Sequence, residues 1–182
     1  MALISLLEVP GAVDLDVDGL VFVDNIDKLP AAVAGVRTLA ASTAYYFTTE
    51  IDLAGDRLVL SDSTVLLGSS SETAILKSTG LDANTPLLTM ESGGPNPIQN
   101  LRIEGVGTAL YVDGQGGANA ALDWVAFNLV GCGEVGTIKD ITNLVVNTSA
   151  WLNTGGLVLD GTIATVAFFQ TLWTLPVGSG KT

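Results

Sequence analysis

Carboxylates are nearly the only side chains in this sequence that could carry out chemistry. The 182 residues include 19 Asp and Glu, no His and one Cys, Cys132. Without His, the chain lacks the commonest general base and metal ligand, and it cannot form a Ser-His or Cys-His pair. One Cys also excludes an intrachain disulfide and a thiolate zinc site, so we predict that Cys132 is a small buried apolar residue.

Paired carboxylates cleave glycosidic bonds when one acts as an acid and the other as a base or nucleophile. The apolar repeat described below would place Glu104 and Asp123 on neighbouring coils, with Arg102 beside Asp123 as a surface ion pair of little energetic value. No candidate has the aromatic or amide-rich surroundings that a sugar groove needs, so we predict no catalytic residue and no enzymatic activity. The full set of candidates is Asp56, Asp62, Glu72, Asp82, Glu91, Glu104, Asp113, Asp123, Glu134, Asp140 and Asp160.

Two glycine-rich motifs resemble nucleotide-binding loops, and each departs from its pattern. Residues 131–136 match the dinucleotide fingerprint G-x-G-x-x-G, but a strand-like run follows where the fingerprint requires a helix. Residues 178–182 resemble the end of a phosphate-binding loop, yet Leu175 stands where that loop requires Gly. We predict a turn at residues 131–136, an accidental match at residues 178–182, and no cofactor.

An acidic stripe near the N-terminus matches the first half of a calcium-binding EF loop. Asp14, Asp16 and Asp18 alternate with apolar residues, but the twelfth position of the loop is Asn25 instead of a bidentate Glu. We predict the solvated face of a strand and no metal site. The alternative is a cation held where several such stripes meet at an oligomer axis.

Charge and hydropathy narrow the classes of partner. The net charge is −12 with seven basic residues, which disfavours binding to a nucleic-acid backbone. No apolar run approaches 18 residues and the first residues lack a basic segment, so we expect neither a membrane helix nor a signal peptide. With 48% apolar and only 14% charged residues, the chain is expected to bury surface in a closed homo-oligomer.

A short apolar pattern recurs about every 22 residues, which is typical of a solenoid. Its four copies begin at Leu101, Leu122, Leu144 and Val166, and a weaker column with the same spacing contains Leu66, Leu88, Leu110 and Cys132. Residues 58–60, 65–67 and 74–76 are three brief apolar runs between polar corners, as expected for three strands per turn. We therefore predict an all-β fold, a short right-handed parallel β-helix.

The first 47 residues lack this rhythm and predict a capping or attachment segment. Residues 20–23 and 38–49 favour strands, and residues 29–36 favour a short helix with Pro30 in its first turn and Asp27 as its cap. We expect the β-helix to span residues 48–175 and a flexible tail to span residues 176–182.

Residues 29 to about 170 resemble the parallel β-helix proteins of tailed bacteriophages, the tailspike-like and pectate-lyase-like group. The resemblance lies in residues 29–39, in short strand phrases such as residues 57–60 and 64–68, and in an Asn-Leu-x-Ile/Val phrase at residues 100–103 and 143–146. It implies association of three chains around an axis and a place in the virion. Active members of the group degrade surface polysaccharide, but this chain is shorter and lacks a recognisable catalytic cluster.

Together these features lead us to expect a non-catalytic virion structural protein, a rigid homotrimeric subunit on the phage head or in a tail or fibre. Its expected partners are copies of itself and capsid or tail subunits, with no nucleic acid and no membrane. The alternatives are a small polysaccharide-degrading enzyme and a module that binds a host-surface glycan. Reducing-sugar release would favour the enzyme, and binding to a glycan array would favour the module.

Overall fold

The computed structural model describes residues 18–91, 95–115 and 121–176, which form short parallel strands and one short 3-10 helix, Ile26–Lys28. The strands in chain order are β1 (Gly19–Val23), β2 (Val36–Leu39), β3 (Thr43–Phe47), β4 (Ile51–Asp52), β5 (Arg57–Leu60), β6 (Val65–Gly68), β7 (Ile75–Lys77), β8 (Pro86–Met90), β9 (Ile98–Gln99), β10 (Arg102–Glu104), β11 (Thr108–Asp113), β12 (Ala121–Val125), β13 (Asn128–Val130), β14 (Glu134–Lys139), β15 (Asn143–Asn147), β16 (Ala150–Leu152), β17 (Leu157–Asp160), β18 (Thr165–Phe169) and β19 (Leu172–Trp173).

These strands form three parallel sheets that wind around a common core. Sheet I has the order β1-β3-β6-β9-β12-β15-β18, sheet II the order β2-β5-β8-β11-β14-β17, and sheet III the order β4-β7-β10-β13-β16-β19. After β1 the chain visits sheet II, then sheet I, then sheet III, and repeats this path six times. The fold is therefore a β-solenoid of about seven turns, and the prediction of an all-β parallel β-helix is confirmed.

Each sheet contributes columns of inward-pointing apolar side chains to the core. Because side chains alternate along a strand, every second residue points inward and the parallel register stacks equivalent positions. One column in sheet II runs through Leu39, Leu60, Met90, Val112 and Ile138, each at most 2% exposed. Equivalent columns in sheets I and III complete a single core that extends along the solenoid axis.

Left-handed backbone conformations make the corners. The corner between sheets I and III has one residue with φ near +50° in each of four successive turns, and these residues stand directly above one another: Asn100, Ala126, Thr148 and Gln170. Between sheets III and II, Gly131 has a φ of +63°. One left-handed residue reverses the chain direction within a few residues, and non-glycine residues adopt it only where their surroundings hold them there. The turn predicted at residues 131–136 is present at its first residue, and β14 begins at Glu134.

The predicted 22-residue repeat is correct in part. Leu122, Leu144 and Val166 are register partners in sheet I, as predicted. Leu101 is not their partner, because residues 102–104 form β10 of sheet III and the sheet I strand of that turn is the two-residue β9. So short a strand, preceded by a proline-containing loop, shows no apolar alternation in the sequence.

The second predicted column is correct only for its central pair. Leu88 and Leu110 are partners in sheet II, whereas Leu66 belongs to sheet I and Cys132 follows β13. The step from Leu58 to Leu88 spans 30 positions, because the loops at residues 69–74 and 78–85 are longer than the equivalent corners of the other turns. A column with a constant spacing of 22 therefore passes from one sheet to another when it crosses these loops.

The N-terminal predictions have mixed outcomes. The strand at residues 20–23 is present as β1, but the helix predicted at residues 29–36 is wrong. Leu29 has an extended backbone, and Val33 and Val36 form a β-bridge across a turn. In the described part of this segment, the only helical element is the 3-10 helix at Ile26–Lys28, and its cap is Asn25 instead of Asp27. Residues 38–49 hold parts of two strands in different sheets, so the stack begins at β1, well before residue 48. Residues 1–17 and 177–182, with Asp14, Asp16 and the predicted tail, lie outside the described residues.

Candidate functional site

The two carboxylates that the sequence placed together lie on different sheets. Glu104 is in β10 of sheet III, whereas Asp123 is in β12 of sheet I. The predicted Arg102–Asp123 pair is also wrong, because Arg102 stands opposite Ile75 and Asn128 in sheet III. Its Nη2 lies 3.1 Å from Oε2 of Glu104. Both errors follow from the assignment of residues 101–103 to sheet I.

Most other candidate carboxylates lie at corners of the solenoid. Five of them follow or end a strand of sheet II: Asp62, Glu91, Asp113, Asp140 and Asp160. Two others lie where a sheet II strand starts, Asp56 just before β5 and Glu134 at the first position of β14. The last two, Glu72 and Asp82, lie in loops. Asp140 Oδ1 accepts a hydrogen bond from the backbone N–H of Thr162 at 3.0 Å, a contact that supports the turn above it. Within the described residues, no three His, Cys, Asp or Glu side chains are close enough together to hold a metal ion.

Two of these carboxylates have direct cationic partners. Nε of Arg37 lies 2.8 Å from Oδ2 of Asp56, and Nζ of Lys139 lies 2.8 Å from Oδ2 of Asp113. The hydrogen bond from Lys139 lowers the pKa of Asp113, and the same contact raises the pKa of Lys139. Lys139 also lies beside Asp160 in the ladder of sheet II. These contacts stabilise the corners of the solenoid.

Cys132 is buried in the core, in agreement with the sequence prediction. Its Sγ lies 3.8 Å from the carbonyl oxygens of Ile103 and Val130. Burial raises the pKa of the Cys132 thiol, so it stays protonated and unreactive at neutral pH.

The three sheets differ strongly in charge. The seven strands of sheet I contain one charged residue, Asp123, whereas the strands of sheet II contain six and those of sheet III contain four. The ion pairs Lys77–Glu50 and Arg102–Glu104 belong to sheet III, and Lys139–Asp113 belongs to sheet II. The outer surface of sheet I is therefore the least charged side of the solenoid.

The outward side chains of sheet I, here called the sheet I face, form two adjacent columns. The register gives Phe22, Tyr46, Leu67, Gln99, Val125, Asn147 and Phe169 in one column, and Leu20, Ala44 and Val65, then Asp123, Val145 and Ala167, in the other. Phe22 and Tyr46 meet edge to face, with their ring centroids 5.7 Å apart. Most members are half-buried, Ala44 and Val65 are buried, and Leu20, Phe22 and Phe169 are exposed.

Asp123 is the single carboxylate within the sheet I face. It is half-buried, and desolvation by its surroundings raises its pKa above the ordinary value for Asp. A carboxylate that is already partly desolvated loses less hydration when a further surface covers it.

A shallow depression lies near the N-terminal end of the solenoid. The residues that line it include Gly35, Gly55, Arg57, Asp82 and Pro86, and it is open to solvent. Nη1 of Arg57 also lies 3.4 Å from Oγ1 of Thr89 in β8. The arrangement brings no pair of carboxylates together.

Comparison with known proteins gives no relative for this chain. No family model, no curated protein and no solved structure matches it. Within the described residues, no helix has the length and apolar character required to cross a membrane.

The sheet I face was only partly visible in the sequence. The alternation at residues 122–124 marked Asp123 as an outward position, but the set of seven strands depends on the register across unequal loops. The two-residue strand β9, which joins the two halves of this face, has no signal of its own in the sequence.

Proposed function

We propose that this chain is a structural subunit of a virion, a rigid β-solenoid that associates side by side with copies of itself through the sheet I face. The observation that carries the proposal is the contrast in charge between sheet I and the other two sheets. The geometry supports a mechanical role, because ladders of parallel strands run without interruption along the axis and one core fills the interior.

Electrostatics favours this face for contact between copies. Each chain has a net charge of −12, so two copies repel each other when charged sides meet. Contact through sheet I would bring together apolar and neutral side chains such as Tyr46, Leu67 and Val145. The ion pairs of sheets II and III would remain in water, where they need no desolvation.

The number of copies and the setting are the parts of the proposal that rest on the resemblance to phage β-helix proteins. In that group three chains associate around an axis, and a three-fold arrangement would place three sheet I faces at the centre of a trimer. The charged faces of sheets II and III would then point outward. From there they would contact capsid or tail subunits.

Native mass spectrometry of the purified full chain tests the interface. We expect a mass divisible by three chains, and we expect Val145→Asp to abolish that three-fold association, because it places a second carboxylate beside Asp123 within the sheet I face. Val59→Asp is the matched control, because Val59 is a half-buried, outward residue on a strand of sheet II. A wild-type mass that is not divisible by three, or equal effects of the two variants, would contradict the proposal.

The virion setting needs a separate measurement. Particles released from a host culture that carries the gene can be purified on a density gradient, and the chain detected in the fractions by mass spectrometry. We expect the chain to sediment with intact particles at a fixed stoichiometry. Its recovery only among free soluble proteins would contradict the setting without affecting the interface.

A further inference from the structure

The last turn of the solenoid, β17 to β19, exposes the cross-section of the core, and we call this surface the C-terminal end. Three inward columns show the change from one turn to the next. Ile138, Val146 and Trp151 are fully buried (0% exposed), while their register partners one turn later are 45% exposed for Leu159, 41% for Phe168 and 37% for Trp173. These three side chains point inward, and within the described residues no further turn lies above them.

In the part of the chain that the structure describes, the same turn also has three strand edges that no other strand pairs with. Each of β17, β18 and β19 is the last strand of its sheet and pairs on one side only. The free edge of each strand carries backbone N–H and C=O groups that can bond to another strand. The C-terminal end therefore combines an apolar surface with backbone groups around its perimeter.

The N-terminal end of the stack is closed. In the same three columns, Leu39 and Ile51 are buried at this end and Val21 is half-buried. Leu29 belongs to the same core, and Ile26 of the 3-10 helix packs against it. Asp27 and Lys28 in that helix are exposed. An apolar C-terminal end would meet charge and no open core at this N-terminal end, so a head-to-tail contact is unfavourable.

Charge indicates which partner fits the C-terminal end. Residues 155–176 contain a single charged residue, Asp160, in a chain with a net charge of −12. A partner recognised by electrostatic attraction would choose another part of this molecule. A neutral, apolar surface with three strand edges at the same spacing is available on a second copy of this C-terminal end.

We propose that two copies associate through their C-terminal ends around a two-fold axis that is perpendicular to the solenoid axis and passes through β18. In this arrangement β18 pairs antiparallel with its own copy, and β17 pairs with β19 of the partner. The uncovered Leu159, Phe168 and Trp173 side chains become the centre of the interface. Asp160 stands at opposite corners in the two copies, so the two carboxylates do not meet.

Mass measurements on Leu159→Asp test this contact in the full chain. We expect the wild-type mass to correspond to an even number of chains and the variant mass to be half of it. The matched control is Val33→Asp, which introduces the same charge at an exposed apolar residue outside the C-terminal end and should leave the mass unchanged. An odd number of wild-type chains, or an unchanged mass for the variant, would overturn the proposal.

A measurement on the wild-type chain covers the case in which Leu159→Asp fails to fold. Hydrogen exchange of the backbone in residues 157–173 should slow as the protein concentration rises, because pairing protects the edge amides. Exchange that does not depend on concentration would overturn the proposal. A variant that lacks residues 1–17 gives a further check. If its mass no longer corresponds to an even number of chains, those residues make the contact and the proposal is overturned.

The two interfaces can fail independently. If both exist, the wild type contains six chains, Leu159→Asp contains three and Val145→Asp contains two. A wild type of two chains that Leu159→Asp splits into monomers would support the contact between C-terminal ends and contradict the lateral trimer. A wild type of three chains that Leu159→Asp leaves intact would do the reverse.

Discussion

The N-terminal and C-terminal ends of the solenoid terminate the same three columns of inward side chains in different ways. At the N-terminal end Ile26 of the 3-10 helix and Leu29 pack against the core, and Asn25 caps the helix by accepting a hydrogen bond from the backbone N–H of Asp27. At the C-terminal end Phe168 and Trp173 pack edge to face on the buried Trp151, with centroid distances of 5.6 and 5.3 Å, and then meet solvent. Large aromatic rings thus hold the last turn in place without covering it.

This difference shows what a solenoid requires of its ends. Each turn buries its apolar face only because a neighbouring turn lies above and below it, so an end needs a cap or a partner. The N-terminal end has its cap within the chain. We infer that the C-terminal end obtains its cover from a second copy.

The largest expected effect comes from the same truncation at the two ends of one column. Leu39→Ala removes a fully buried side chain next to the N-terminal cap and should lower the free energy of unfolding by about 2–5 kcal/mol. Leu159→Ala, at the other end of the same column, removes a side chain that is almost half exposed and should cost under about 1 kcal/mol. Urea unfolding measured below the association concentration gives both values. Equal costs would mean that the C-terminal end is as well covered as the N-terminal end.

A second pair of variants tests whether Trp151 anchors the last turn. Its indole N–H donates to the carbonyl oxygen of Phe127 at 3.2 Å, whereas the buried indole N–H of Trp124 has no partner in the described structure. Both rings are fully buried. Trp151→Phe should therefore cost about 1–3 kcal/mol more than Trp124→Phe, because only the first leaves a buried acceptor unpaired. Unfolding midpoints of the two variants give the difference, and a larger loss for Trp124→Phe would contradict it.

A smaller effect is expected at the cap of the N-terminal end. Asn25→Ala removes the acceptor for the backbone N–H of Asp27 and should cost about 1 kcal/mol. Asn143→Ala is a control at a strand residue, and we expect it to have little effect. Exchange of the backbone amides around the 3-10 helix should become faster in Asn25→Ala, while exchange in residues 157–173 stays the same. A change in exchange at both ends would show that they are coupled through the core.

The sequence predicted the kind of fold because the apolar alternation is regular where turns have equal length. Leu122, Leu144 and Val166 are separated by 22 residues in sequence and are register partners in space. It did not predict the register across the long loop before β8, since a change in loop length alters the spacing without a change in residue type. The missing strand β9 then shifted residues 101–103 to the wrong sheet.

The candidate surfaces depended on information that the sequence carries only weakly. The apolar residues of β17 to β19 were recognisable, but whether they are covered depends on the turn that follows in space. The predicted helix at residues 29–36 failed because Ala34 and Gly35 both adopt positive φ, a turn imposed by the start of β2. A helix was therefore predicted where the chain makes a turn and enters β2.

The smallest expected effect on stability is at Asp123, which lies midway between the two ends. Substitutions there serve as a reference, because neither end should influence them. Burial raises the pKa of Asp123 in the folded chain above its value in the unfolded chain. At pH values between these two pKa values, the folded chain binds the proton more strongly than the unfolded chain does. The free energy of unfolding therefore falls as pH rises through this range. Asp123→Asn should therefore raise the free energy of unfolding by about half a kcal/mol at pH 7. At about pH 3 this gain should disappear, because the wild-type carboxyl is then protonated in both the folded and the unfolded state. Asp113→Asn is the control of opposite sign, because Lys139 lowers the pKa of Asp113. This variant should be less stable than wild type at pH 7, and the difference should shrink only as pH falls through the lowered folded pKa. Unfolding midpoints at the two pH values decide the matter, and a gain for Asp123→Asn that persists at low pH would show that the effect comes from packing and not from charge.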